Sequence, residues 1–187
     1  MEERIKQIIK FCCTMPENVN PIEIFKRIAK QDFIRIHGPE HHILDGACIL
    51  TAFYHGGGQI DLKDALEKLA EEGKKMPGAI CGLWGVCGSV TSIGAALAII
   101  DGTGPLTEDC SWGGHMQFTA KALEAIGKVG GPRCCKRDAV LSMLTAIKYI
   151  NDTYDVKLDA GRFQCEFSSL NEQCIQERCP FYGGRNE

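Results

Sequence analysis

The chain has 187 residues, 44% of them apolar and 24% charged, with a formal net charge of −3. That length supports one domain with a sizeable core and is too short for two comfortable ones. The slight acidity, without a basic stripe, excludes a nucleic-acid backbone as partner. The uncharged run from Ala79 to Ile100 is broken by glycines, cysteines and polar residues, so it predicts a buried helix rather than a membrane span. The opening Met1-Glu2-Glu3-Arg4 is acidic and helix-like, with no export signal, which predicts a cytoplasmic protein. In that setting eleven cysteines, an odd number, point to a metal, an iron–sulfur cluster or thiol chemistry rather than to disulfides.

Taken in order, residues 2–15 place Ile5, Ile8, Ile9, Cys12 and Cys13 at amphipathic-helix spacing, which predicts both cysteines on the buried face. Pro16 ends that helix. Asn20-Pro21 opens a second, with an N-cap and a proline at the first position and Ile22, Ile24, Phe25 and Ile28 inward. Gly38-Pro39 then opens a third, running to about Tyr54, with His41 and His42 in its first turn and His37 just before it. His41, Asp45 and Cys48 share a face. A positive helix end disfavours a histidine cation, and neutral imidazole is the form that binds metal or accepts a proton. Gly56-Gly57-Gly58 closes this helix, and Asp61 caps an amphipathic scaffold helix over 62–72.

The chain is organised around residues 76–100. Met76-Pro77-Gly78 is a turn signal, Cys81 and Cys87 follow among glycines, and a small-residue apolar segment runs from Val90 to Ile100. The spacing predicts a loop facing a site, followed by a buried Gly/Ala-rich central helix. A further helix is expected over 112–128, with Cys110 and His115 at its start as packing residues. Gly130-Gly131-Pro132 leads into Arg133-Cys134-Cys135-Lys136-Arg137 at the mouth of a helix reaching about Tyr154. The basic side chains and the helix start both favour thiolate over thiol and would bind an anion there, with Arg133 and Arg137 as its cofactor contacts. The tail holds Cys165, Cys174 and Cys179-Pro180. Three such thiols need a fourth ligand, Cys134 or Cys135, to hold a cluster, and zinc would accept the same set. Short extended pieces are expected at residues 33–36 and 156–158.

The motifs HGPEHH, MPGAICGLWGVCGS, GGPRCCKRD and CEFSSLNEQCIQERCPF, in this order over residues 33–182, resemble the Cys-rich family of domains of unknown function numbered 5714. The resemblance implies an anaerobic, intracellular setting and an association with radical-SAM or methyltransferase proteins as partners. The chain has no Cys-x3-Cys-x2-Cys signature and no glycine-rich nucleotide fingerprint of its own.

Together these readings predict a mostly α, single compact helical domain: N-terminal helices over 1–32, a Cys/His-rich core over 33–182 and a Cys-rich C-terminal tail. The expected cofactor is an iron–sulfur cluster of the 4Fe-4S kind, with zinc as the alternative, held by Cys165, Cys174 and Cys179 with Cys134 or Cys135. His37, His41, His42, Cys81 and Cys87 would line a catalytic pocket for redox, sulfur or radical-associated chemistry on a small molecule. The competing expectation is a non-catalytic binding module for a radical-SAM or methyltransferase partner.

Overall fold

Capping chemistry sets where the helices begin. In the computed structural model, which describes residues 1–183, the helices are α1 (Glu2–Thr14), α2 (Pro21–Ala29), α3 (His41–His55), α4 (Leu62–Lys75), α5 (Ile80–Leu83), α6 (Gly88–Asp101), α7 (Cys110–Val129) and α8 (Cys135–Thr153). The Asn20 side chain accepts from the Ile22 and Glu23 amides at 3.0 and 3.1 Å, which satisfies two orphan donors at the start of α2. Asp61 does the same for α4 through the Asp64 amide. Asp109 caps α7 by accepting from Ser111, so α7 starts at Cys110, two residues earlier than the apolar pattern predicts.

The central helix is the hub. α6 packs against α3, α4, α7 and α8, most extensively against α3. Val90, Ile93, Ala96 and Leu97 of α6 are fully buried. The α3–α6 contact is close because Gly46 has no side chain: its amide donates to Ser92 Oγ at 2.9 Å, and a Cβ there would press on the Ser92 carbonyl. One continuous core joins these helices with α1 and α2, so residues 1–32 are part of the same packed unit.

Three expectations need correction. Cys12 is buried but Cys13 is exposed, since one helical step carries Cys13 off the narrow inner face of α1. Residues 33–36 and 156–158 form turns and extended connections. Among the described residues there is no strand, only an isolated bridge between Cys165 and Tyr182. The loop expected before the central helix contains α5, entered through Ala79 in a left-handed conformation.

Among the described residues after α8 there is no long helix. Two single 3-10 turns, Ser168–Leu170 and Gln176–Arg178, carry the tail. It is pinned to α2 by Glu166, which pairs with Lys26 and Lys30, and is braced within itself by an edge-on contact of Phe163 with Phe181. No described helix is long and apolar enough to cross a membrane.

Candidate functional site

The start of α8 separates two cavities, and adjacent residues there face opposite ways. Cys134 is the N-cap, in extended backbone, and Cys135 is the first helical residue. Cys134, Lys136 and Arg137 border a chamber closed by the tail, which also contributes Cys165, Cys174 and Cys179. Cys135 and Asp138 border a pocket of about 330 Å³ on the other side, with Cys81, Cys87 and the three histidines His37, His41 and His42. The fourth thiol of the tail set is therefore Cys134, and Cys135 belongs to the histidine pocket. Arg133 lies at that pocket's exposed margin.

In the tail chamber, backbone amides point at sulfur. Cys134 Sγ accepts from the Arg137 amide, Cys165 Sγ from Phe167 and Cys174 Sγ from Gln176, each at 3.4 Å. Asn171 Nδ2 adds a second donor to Cys134 at 3.6 Å. Such N–H···S bonds favour sulfur that carries charge. Against this, burial raises the Cys134 and Cys165 thiols and lifts Cys135 and Cys87 to about 12. The basic surroundings of the Cys134-Cys135 pair do not yield free thiolates, because desolvation outweighs them. A bound cation reverses that balance.

The cations are not at the surface either. Lys136 is 1% exposed, and its ammonium donates to the Arg35 carbonyl at 3.0 Å and to His41 Nε2 at 3.2 Å. It lies over the rings of Phe25 and Phe167. Among the described residues it has no carboxylate in ion-pair contact, and burial lowers its proton affinity. Arg137, also buried, is held by Asp138 Oδ1 at 2.9 Å and the Pro132 carbonyl at 3.1 Å, while its Nη1 has no partner.

Hydrogen bonding fixes the state of each histidine. Asn171 Oδ1 accepts from the Gln173 amide, so the oxygen faces His37 Nε2 at 3.0 Å and that nitrogen donates. His37 Nδ1 is then a bare, buried acceptor without a partner. His41 accepts from Lys136 at Nε2 and donates from Nδ1 to Asp45 Oδ1 at 3.3 Å. The ring of His42 bonds to the Met76 backbone and its Nδ1 is unpartnered. Burial lowers the proton affinity of both His37 and His42, so they are neutral at pH 7, as the helix-end argument predicted for a different reason. Gly88 makes room for His42, whose ring a Cβ would strike.

Behind the pocket, Glu40 is fully buried and gripped by Arg35: Oε1 accepts from the backbone amide at 2.9 Å and from Nε at 3.0 Å, and Oε2 from Nη2 at 2.6 Å. Gly38 is required there, because a Cβ would occupy the position of the Glu40 carboxylate. Among the described residues, no three His, Cys, Asp or Glu side chains close on a point that would hold a single metal ion.

A family of unknown function, DUF5714, matches residues 8–182. The chain belongs to that family. The match starts inside α1, so the DUF5714 unit includes the two N-terminal helices as well as the four motifs. No curated protein and no solved structure matches the chain. The tail chamber and the histidine pocket both lie within the DUF5714 span. Sequence reasoning missed Glu40, Lys136, Ser89 and Asn171 as parts of this site. Only the i, i+4 spacing of His41 and Asp45 announced a pairing.

Proposed function

We propose that this DUF5714 protein binds an iron–sulfur cluster through Cys134, Cys165, Cys174 and Cys179, beside a His/Cys pocket in which a small molecule undergoes redox, sulfur or radical-associated chemistry. The observation that carries this reading is that four thiols from two chain segments line one chamber, three of them already accepting N–H···S bonds. The thiols ring a space instead of meeting at a point, the arrangement suited to a polynuclear group more than to one tetrahedral zinc with bonds of about 2.3 Å. Lys136 supports it too. A buried ammonium with no carboxylate in direct contact is costly, and anionic thiolates around a cluster would add counter-charge beside it.

A cluster supplies electron transfer or Lewis acidity when bound. The protein's own groups do the rest. Asn171 ties His37 Nε2 to Cys134 Sγ across the start of α8, which holds the His37 ring with its bare Nδ1 available to take a proton. The donor set fits the group, but the chamber's free volume of about 20 Å³ admits roughly one water, so loading requires the tail to shift outward.

The test is iron, zinc and acid-labile sulfide content, with a visible spectrum, after purification and reconstitution without oxygen. Matching iron and sulfide are expected, lost in Cys174→Ser and Cys134→Ser and retained in Cys135→Ser. Zinc without sulfide, or no metal in the wild-type protein, overturns the cluster.

A further inference from the structure

Buried polar atoms without a partner are rare and call for an explanation. Among the described residues, four of the six such atoms, His37 Nδ1, His42 Nδ1, Asp45 Oδ2 and Ser89 Oγ, belong to residues lining the histidine pocket. The hydrogen-bond network makes the first three of one kind. His37 donates from Nε2 to Asn171, so its Nδ1 presents a lone pair. His42 Nδ1 does the same, its other nitrogen being turned to the Met76 backbone. Asp45 is fully buried and accepts at Oδ1 from His41. The Nε2 of that imidazole faces the Lys136 side-chain nitrogen at 3.2 Å and the Arg35 carbonyl at 3.4 Å. Asp45 thus keeps one carboxyl oxygen free, and Lys136 reaches it only through His41.

Three unpartnered acceptors, one of them a carboxyl oxygen, on residues lining one cavity favour a ligand rich in N–H donors. They do not close on a single metal ion, so a polyatomic cation fits where a bare ion does not. We propose that the pocket binds a small molecule through its primary ammonium group, with Asp45 Oδ2 as its acceptor, while His37 Nδ1 and His42 Nδ1 accept from other donors of the ligand or from water bound with it. Simple amines and amino acids share that group. Ser89 and Gly88, in the first turn of α6, also line the pocket, and Arg133 stands at its margin, so a carboxylate on the same ligand would find the positive start of α6 and a guanidinium. The ammonium site rests on the reading of this pocket as the ligand site but not on a cluster being present in the tail chamber.

The experiment is a thermal-shift and calorimetric titration of the full chain, reduced and free of oxygen. The probes are methylammonium, glycine and the other amino acids, each compared with acetate and with ferrous and manganous ions. At least one ammonium compound is expected to raise the melting temperature in proportion to its saturation of the folded state. Its binding should weaken about tenfold or more in Asp45→Asn, as loss of a charged hydrogen bond implies, and should also weaken in Ser89→Ala only if the ligand is an amino acid. Methylammonium alone sufficing identifies an amine site, and a response confined to amino acids identifies a zwitterion site. The proposal is overturned if no ammonium compound binds the wild-type protein, if binding survives unchanged in a folded Asp45→Asn protein, or if only acetate or a divalent ion binds. Ammonium binding that persists in Cys174→Ser, alongside loss of iron, separates this site from the cluster.

Discussion

At the scale of single residues, the site is set by charges that are buried and matched. Burial alone would raise the Glu40 carboxyl, but its bonds to the Arg35 guanidinium and amide outweigh that and bring it down to about 2. A carboxylate depressed below its ordinary value of 4.5 stabilises the fold above that value, and the contribution disappears as the pH falls toward about 2. Glu40→Gln is therefore expected to lower stability at pH 7 by about 2 kcal/mol, a figure reduced for the half-exposed Arg35 side chain. It should also flatten the loss of stability between pH 4.5 and 2, read by urea titrations across that range. An unchanged acid limb would rule out Glu40 as its source. Lys136 gives the opposite case. Replacing it by methionine removes an ammonium buried without a carboxylate, so apo stability is expected to rise by about 1 kcal/mol while iron retention falls. A variant that lost stability and kept its iron would contradict the role of Lys136 as counter-charge. Neither residue was legible in the sequence: Lys136 reads as one more basic residue at a helix opening, and Glu40 hides inside a histidine motif. Burial of a charge depends on what the tail and α2 bring over it, and local pattern carries no record of that.

At the scale of elements, periodicity and punctuation were enough. The apolar repeats of α1, α2 and α4 and the glycine-proline turns around them predict helices where helices stand, and the small-residue run predicts the central position of α6. What the pattern could not settle was the choice between Cys134 and Cys135. The two differ by one position across a helix start, where the backbone changes from extended to helical and neighbouring side chains diverge. The α3–α6 contact offers a direct check on the packing. A methyl at Gly46 would push against the Ser92 carbonyl, which is backbone and cannot swing aside. Gly46→Ala is expected to cost about 2 kcal/mol through overpacking, more than the helix-propensity gain of alanine returns. Because Asp45 is the preceding residue, the same variant should also weaken ligand binding in the histidine pocket. Thermal melts and the ammonium titration read the two effects separately, and an undisturbed melt would mean that the helices part without cost.

At the scale of the whole molecule, the described residues divide into α1–α8 and a tail without long helices, and the tail is the segment whose displacement would open the thiol chamber. Seven of the helices share one core, whereas residues 159–183 carry two short turns, reach that core chiefly through Phe167, with Phe163 and Phe181 packed beside it, and are tied to α2 by the ion pairs of Glu166 with Lys26 and Lys30. The resulting chamber, with about 20 Å³ of free volume, is too small for a cluster until that tail moves, and it is the tail that contributes three of the four thiols. Loading should therefore first displace the tail and then fasten it, since three thiolates bound to one group close the loops between residues 165, 174 and 179 and link them to residue 134. Arg162 and Arg178 are exposed on this segment and give trypsin access to it. The apo protein is expected to be cut after these arginines well before the helical body is attacked. After anaerobic reconstitution with iron and sulfide, cleavage there should slow about tenfold or more, because the open state that the protease needs is depopulated by the binding free energy. Cys174→Ser should gain little or no protection under the same conditions. Equal cleavage rates for apo and reconstituted wild-type protein would mean that the tail does not carry the ligands, and the four-thiol assignment would have to be abandoned even if iron were bound elsewhere.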